Sequence, residues 1–587
     1  MRTILPTTDK KPTITRILIF NAKAVLLRVM RAVKNLFDKK HKKFQKAAKL
    51  SDRAIVAESK TPLWTESRAE EQFLLAGKVQ NLRVAIAKLD GVEIPAGETF
   101  SFWKQVGRAG RARGFVEGRE LREGCIIPNV GGGLCQLSNA LYDAALTANF
   151  EIVERYPHTQ IVPGSLAERG RDASVFWNYL DLRFRSPSAF RIEAHLGKDH
   201  LTVKFKGEKQ NGSAKLLQIS PRATSKTEDP NSCATCGVEK CFRSLKPEET
   251  NLNFGRTAFL IDEFSPEFDE YIQQVRSEKD LLFLPLDGGR FRKANYAWNT
   301  KGFARSRQSF LTTLLRSYKS RKLAAQGAER QKNLLRMSEK LAESFAENLS
   351  YEVLHVVVSQ NLLPFLWKNG YLGGRTFDVL MTALPMREIE KRLDLAASLH
   401  PESKTLGDFR ADDRLVEAEA EALKNARRIV TPHAGIASLF AEKCELLDWT
   451  TPKTKNIDRK RNAKFTILFP ASTVGRKGCY ELREAVRDLD VKLVTLGANV
   501  EGANFWNGFD WEKGADDWLE KADLVVLPAF VEHKPRRLLL AAAHKIPVIA
   551  STACGVKTGE DVTIIEAGDA EALREEINRI YLRRPSN

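Results

Sequence analysis

The chain has 587 residues, 43% of them hydrophobic and nine of them tryptophan, so it is long enough for several domains and too apolar to be disordered throughout. Its eight cysteines are too sparse for a secreted-type disulfide framework and fit reduced thiols in a cytosol-like compartment. The net charge of +19 is uneven: residues 1–50 hold 14 Lys and Arg against two Asp, a local excess of 12, which argues against a nucleic-acid-binding body and for a basic arm on a mildly basic protein.

Residues 1–50 form that arm. In ITRILIFNAKAVLLRVMRAVKNLF, Leu18, Val25, Leu26, Val29, Val33 and Leu36 fall on one helical face, with Arg16, Lys23, Arg31 and Lys34 among the interrupting charges. Lys23 and Arg28 cut the apolar run too short for a transmembrane span, and no clean h-region or cleavage site marks a signal peptide. Two readings stay open. One is an interfacial amphipathic helix on an anionic cytoplasmic leaflet through residues 15–49, with KKHKKFQK adding electrostatic attraction. The other is a solvated, partly helical arm.

Residues 54–205 read as one α+β domain. Residues 54–89 are expected to be mostly helical, GVEIPAGETFSFWKQVG to be loop and turn, and the rest to alternate short β runs with one clear helix. That helix follows IPNVGGGLCQLSNALYDAAL. Leu137, Leu141, Ala144, Ala145 and Ala148 share a face, and Asn149 is a stop signal. Cys135 therefore sits at a helix start, where the macrodipole favours a thiolate. The preceding glycines let a substrate backbone approach and let amide N–H groups face an oxyanion. Downstream, EIVERYPHTQIV is β-like and carries His158, and RGRDASVFWNYLDLRF is β-like and carries Asp172 and Asp181. Cysteine, histidine and carboxylate in this order can serve as nucleophile, base and orienting group. The alternative is an ordinary buried packing thiol.

Residues 206–256 are a polar linker. Within it NSCATCGVEKCF places Cys233, Cys236 and Cys241 in a C-x2-C-x4-C cluster, with Gly237 permitting a tight turn. Thiolates so spaced can bind zinc or an iron–sulfur cluster once a fourth ligand joins them. A redox-active pair or plain linker thiols are the alternatives.

From residue 257 the pattern changes to α/β. TAFLID, LLFLPL and YEVLHVVVS alternate with helical stretches over 257–445. FTILFP, VKLVTLG, ADLVVLPAF, KIPVIAS and VTIIEAG do so over 460–587. In the second half, Glu532 lies in the loop after a strand that ends at Pro528, just before a helix near Pro535. That is where doubly wound sheets bind ligands and where a helix start favours a diphosphate. Arg476 and Lys477, also just after a strand, can neutralise a pyrophosphate leaving group. A capping glutamate and solvated loop cations are the plainer alternatives.

FSFW…VG…RGF, GGGLCQLSNALYDAAL, EIVERYPH and GRDASVFWNYLDLRF resemble the VanW family over about residues 98–190. The resemblance implies a cell-envelope context and no particular reaction. The order Cys135–His158–Asp172 is similar, by fold-level analogy, to transglutaminase-like and papain-like sites. Residues 257–587 resemble retaining glycosyltransferases of the two-Rossmann GT-B architecture, through SQNLLPFLW, LVEAEAEALKNARRIVTPHAGIASLF, FTILFPASTVGRKG and EAGDAEALREEINRI. That family supplies an Arg and a Lys to the donor phosphates. Lys477 matches the Lys, and Ser472 stands at the Arg position. The family also places two glutamates eight residues apart. Glu532 matches the first, and Leu540 stands at the second.

The expectation is thus an α+β VanW-like domain followed by two Rossmann-like α/β domains in GT-B arrangement. The resemblance implies metal-independent transfer of a sugar from a nucleotide-diphosphate donor to an envelope glycan or lipid-linked acceptor. Such a protein would be cytoplasmic, or peripheral on the inner face of the cytoplasmic membrane, with no nucleic-acid partner. Two rivals are a thiol-dependent acyl or amide enzyme beside a degenerate GT-B scaffold, and a non-catalytic glycan-binding scaffold.

Overall fold

The computed structural model describes residues 42–583 apart from 66–68, 123–124, 159, 162–164, 210–224, 227–230, 233–253, 324–326, 455–461 and 516, together with residues 22, 25, 26, 29–31 and 33 of the arm. The Cys233, Cys236 and Cys241 cluster lies outside the described residues. Two compact units result: residues 1–255 with 350–354 and 369–375, and the remainder from residue 256 onward.

The first unit is α+β. An antiparallel sheet runs in the order Ile55–Pro62, His200–Gly207, Phe190–Leu196, Val92–Ile94. Residues 55–62 were expected in a helix. Their burial instead alternates, with Ala57, Ser59 and Thr61 inside, which is the period of a half-buried strand and not of a helix. The helix begins only at Ala69 and ends at Leu89. The expected loop after it also carries structure: Val92–Ile94 and Thr99–Ser101 are strands, and Phe102–Val106 is a short helix capped by the Ser101 side chain.

The helix Leu134–Thr147 packs its Leu137, Leu141, Ala144 and Ala145 face into the core, and Asn149 takes a positive φ of 57° just beyond it. Asparagine tolerates that conformation, which breaks the helix. Phe150, Phe184, Phe190 and Phe205 close the core as one aromatic cluster, with Phe150 stacked on Phe205 at 5.5 Å. Of the arm, residues 22, 25, 26, 29–31 and 33 are helical and residues 42–50 are not. Val25, Leu26, Val29, Met30 and Val33 are exposed, while the Arg31 guanidinium reaches Glu154 at 2.7 Å. Among the described residues, no helix is long and apolar enough to cross a membrane.

The second unit holds two α/β sheets. The first is seven-stranded, in the order Arg305–Gln308, Leu281–Leu284, Arg256–Leu260, Val353–Ser359, Thr376–Leu380, Arg428–Thr431, Cys444–Leu446. The second is six-stranded and parallel, in the order Asp510–Lys513, Val491–Thr495, Phe465–Phe469, Leu524–Leu527, Val548–Ser551, Val562–Ile565. By chain position the second order is 3-2-1-4-5-6, that of a Rossmann sheet. Its central strands are buried on both faces; all five residues of Phe465–Phe469 and all four of Leu524–Leu527 are inside. Helices on both faces require such continuous apolar runs. Each large side chain so buried contributes about 1.5–3 kcal/mol of transfer free energy. The topological switch point lies between Phe465–Phe469 and Leu524–Leu527, and the loops leaving those two strands carry Arg476, Lys477 and Glu532.

Candidate functional site

In the first unit the structure brings Cys135, His158 and Asp172 together. Neither His158 nor Asp172 lies on a strand, contrary to the expectation. His158 follows the strand Glu151–Glu154 in an irregular segment, and Asp172 sits in another before the strand Arg183–Arg185. Side-chain bonds replace the missing ladder. Ser138 Oγ donates to the Ala173 carbonyl at 2.6 Å and the Asn139 side-chain oxygen accepts the Ala173 N–H at 2.8 Å, beside one backbone bond from the Ser174 N–H to the Tyr156 carbonyl at 2.7 Å. Arg155 Nε donates to the Asp172 carbonyl. The helix that carries the thiol thus also holds the carboxylate segment.

Asp172 receives the His158 backbone N–H on one oxygen and His158 Nδ1 on the other, both at 2.5 Å. With Nδ1 engaged, the second ring nitrogen is left free of Asp172, and Cys135 lies close enough to act on the charge of the imidazole. The thiol itself also points at the Val175 carbonyl, 3.8 Å away. Burial disfavours the imidazolium, but the interactions with Cys135 and Asp172 outweigh it and push His158 up to about 10. Burial would raise Asp172, yet the hydrogen bond and charge of His158 hold it below the usual carboxylate range. Asp181, the other candidate carboxylate, is structural: it accepts Ser101 Oγ at 2.6 Å and the Trp103 N–H at 3.1 Å, and binds Arg183 Nε at 2.8 Å.

The glycines before Cys135 have a packing reason besides the one expected. A Cβ on Gly132 would lie 2.3 Å from the Gly118 carbonyl oxygen, and one on Gly133, whose φ is 95°, would lie 2.0 Å from the Lys78 side chain. They are required by close packing within the protein, before any substrate is considered.

In the second unit, the turn Gly475–Lys477 follows the first strand of the Rossmann sheet. It is fastened to the loop after Leu524–Leu527, because the Arg476 carbonyl accepts the N–H groups of Phe530 and Val531 at 3.0 and 3.2 Å. A cavity of about 320 Å³ opens there, lined among others by Ser472, Arg476, Lys477, Glu532, Arg536 and Arg537. Lys477 Nζ donates to the Val531 carbonyl at 2.8 Å and to Glu532 at 2.9 Å. The other Glu532 oxygen accepts the backbone N–H groups of His533 and Lys534, each at 2.8 Å. Burial would raise the carboxyl, but Lys477 and those amides keep it well below its ordinary range. Arg476 lies over the Phe409 ring at 4.8 Å, and burial lowers its pKa.

Ser472, at the position of the family's arginine, faces the cavity, whereas Leu540 packs against the core from the helix Arg536–Ala543 and is not among the cavity's lining residues. The sequence reading missed Lys534, Arg536 and Arg537, although the run EHKPRR was a visible cationic signal. Lys534 pairs with Glu263 at 2.7 Å, Arg536 holds Glu267 through two bonds of 2.5 and 2.6 Å, and Arg537 donates to the Pro470 carbonyl at 2.6 Å. It also missed Glu501, a buried carboxylate that binds Ser403 Oγ at 2.8 Å, the Lys404 N–H at 3.0 Å, the Thr405 hydroxyl, the Gly475 N–H at 2.7 Å and the Tyr480 hydroxyl at 3.0 Å. Nothing near Glu501 in the sequence signals that role. Among the described residues, no group of three or more His, Cys, Asp or Glu is placed to hold a metal ion.

Comparison with known proteins agrees with this division. A family model described as VanW like protein matches residues 77–206, and one described as Glycosyl transferases group 1 matches residues 464–583. The chain is 37% identical over 127 residues to the uncharacterized protein YoaR of Bacillus subtilis, covering 21% of this chain and 41% of that protein. It is 30% identical over 179 residues to the vancomycin B-type resistance protein VanW of Enterococcus faecalis, covering 28% of this chain and 65% of that protein. The chain therefore spans less than two thirds of the length of either relative. Among solved structures, sucrose-phosphate synthase from Thermosynechococcus elongatus is 14% identical with a TM-score of 0.36, covering 56% of this chain and 90% of its own. Anabaena Alr3699/HepE in complex with UDP-glucose is 14% identical with a TM-score of 0.31, covering 56% of this chain and 89% of its own. The chain thus joins a VanW-like domain, matched over residues 77–206, to a group 1 glycosyltransferase domain, matched over residues 464–583.

Proposed function

We propose that the second unit transfers a sugar from a nucleoside diphosphate donor to a cell-envelope acceptor, without a metal ion. The observation that carries this reading is the Lys477–Glu532 pair in a basic cavity at the switch point of the Rossmann sheet. A diphosphate entering there meets the Lys477 ammonium and the side chains of Arg476 and Arg537, which stabilise the charge that develops as the sugar–phosphate bond breaks. Glu532, kept ionised, accepts hydrogen bonds from sugar hydroxyls. Glu267 and Glu263 hold Arg536 and Lys534 in place on the cavity wall.

The test is a titration of the purified chain with UDP, GDP and UDP-sugars, for the wild type and Glu532→Ala, with and without EDTA. Saturable, EDTA-insensitive binding that the substitution weakens supports the reading. Absence of binding to any of these ligands overturns it for these donors and favours a glycan-binding scaffold. The packing of Leu540 away from the cavity is the observation that favours that second reading, since no carboxylate stands there for a ribose.

The same reading makes the protein cytoplasmic and peripheral on the inner face of the cytoplasmic membrane, within reach of a lipid-linked acceptor. Its support is the exposure of Val25, Leu26, Val29, Met30 and Val33 along one side of a helix in a strongly basic arm. Such a face gains free energy by entering the headgroup boundary, and anionic lipids add attraction. Sedimentation with vesicles of phosphatidylglycerol and phosphatidylcholine tests it. Binding should rise with the anionic fraction and fall with salt and with Val25→Ser and Val29→Ser together. Equal recovery with and without vesicles refutes it.

A further inference from the structure

We propose that the Cys135–His158–Asp172 cluster of the first unit is a second active site, a cysteine acyl-transfer centre acting on carboxylic esters or amides. Three independent pieces of geometry meet there. Cys135 occupies the first turn of a 14-residue helix whose N-terminal glycine is capped by no side chain. The first turn of a helix leaves amides without intrahelical acceptors, and such donors can stabilise an acyl oxygen as it becomes negative. His158 is fixed at Nδ1 by the buried Asp172 carboxylate at 2.5 Å, which leaves its other nitrogen for a proton exchanged with the neighbouring Cys135. The helix that bears the nucleophile grips the Asp172 segment on both sides of Ala173 through Ser138 and Asn139. A packing thiol needs none of these, and in the second unit burial pushes the thiols of Cys479 and Cys554 up, against the thiolate.

The chemistry closes without a co-reactant other than water. The Cys135 thiolate attacks the acyl carbon, forming a carbon–sulfur bond. As the carbon–nitrogen or carbon–oxygen bond breaks, the His158 imidazolium gives its proton to the leaving amine or alcohol. The neutral imidazole then takes a proton from water, whose oxygen attacks the thioester. The carbon–sulfur bond breaks, a carboxylic acid leaves and the thiolate–imidazolium pair is restored. Another hydroxyl or amine in place of water gives transfer instead of hydrolysis. Cys135 and His158 touch the substrate. Asp172 is a positioning residue, and Arg155 donates to its backbone carbonyl.

The experiment uses the full chain and p-nitrophenyl acetate, following p-nitrophenolate release and locating the acetyl group by peptide mass. The expected result is a stoichiometric burst with acetylation at Cys135, abolished in Cys135→Ser and slowed 100-fold or more in His158→Ala. Asp172→Asn should slow it at least 10-fold and move the alkaline limb of the pH–rate profile downward, a shift that a merely structural role would not give. Melting curves accompany each variant, and His158→Gln replaces His158→Ala if the latter does not fold. Acetylation of Cys135 no faster than of the half-buried Cys444, or an unchanged rate in a folded His158 variant, overturns the proposal.

Discussion

The Lys477 ammonium lies 2.9 Å from the Glu532 carboxylate, across two loops that leave neighbouring strands of one Rossmann sheet. The pair is held from both sides, by the Val531 carbonyl on the cation and by two backbone N–H groups on the anion. The ion pair therefore fixes the spacing between a phosphate-facing charge and a sugar-facing one.

Removing one charge-assisted contact costs about 1.5–3 kcal/mol. Lys477→Ala is accordingly expected to weaken UDP binding about 10- to 100-fold by calorimetry, and Lys477→Arg to recover part of it. Glu532→Gln should reduce sugar transfer more than it reduces UDP affinity, because its carboxylate faces the sugar. Equal losses of both would place Glu532 on the nucleotide instead.

Glu501 fastens the 403–405 loop to the Gly475 turn, so its loss should act on the donor site from a distance. Burial alone would raise its carboxyl, but Thr405, Ser403 and two backbone amides hold it low. Glu501→Ala leaves several buried donors unpaired, and we expect a loss on the order of 2–4 kcal/mol of stability. The contribution is present above the ordinary carboxylate range and is lost as pH falls through the depressed value. Denaturant midpoints at pH 7 and pH 4 check this: the gap between wild type and variant should narrow at the lower pH.

The glycine loop gives a steric prediction. A methyl group on Gly132 meets the Gly118 backbone, whereas one on Gly110 meets nothing within 4 Å. Gly132→Ala is expected to destabilise the chain by about 1–3 kcal/mol, with Gly110→Ala close to neutral. Thermal melts of the two variants side by side decide it; matching midpoints would refute the packing account.

His158 sets a pH dependence. Folded, it keeps its proton to about pH 10, whereas its ordinary value is 6.5. The interaction with Cys135 and Asp172 is therefore at full strength below about 6.5 and fades as pH rises through 10. Asp172, held low, contributes above the carboxylate range and loses its part as pH falls. The melting-temperature advantage of wild type over His158→Gln should shrink steadily between pH 7 and pH 10. A constant difference across that range would show that the two side chains do not share a proton.

Much of the second unit was legible in the sequence. Runs such as FTILFP and ADLVVLP are continuous and apolar because helices cover both faces of the sheet, and they became Phe465–Phe469 and Leu524–Leu527. The first unit was less legible. Residues 55–62 were read with the helical stretch 54–89, yet pairing with His200–Gly207 makes them a strand, and that partner lies far along the chain. The short strands Thr376–Leu380 and Arg428–Thr431 escaped notice because each sits against a charged residue that breaks the apolar run.

By itself the sequence determined the chemistry on offer: a thiol at a helix start, a histidine and a carboxylate downstream, and a lysine and a glutamate each just after an apolar strand. Local periodicity and turn chemistry are written in neighbouring residues, so those placements could be read directly. Only the tertiary structure decided which groups meet. Asp172 and not Asp181 reaches His158, because Ser138 and Asn139 pull the Ala173 segment onto the thiol's helix while Ser101 and Arg183 claim Asp181. Leu540 turns to the core and Ser472 to the cavity. These outcomes depend on contacts between segments far apart in the chain, whose geometry is fixed by close packing and by the need to satisfy every buried polar group.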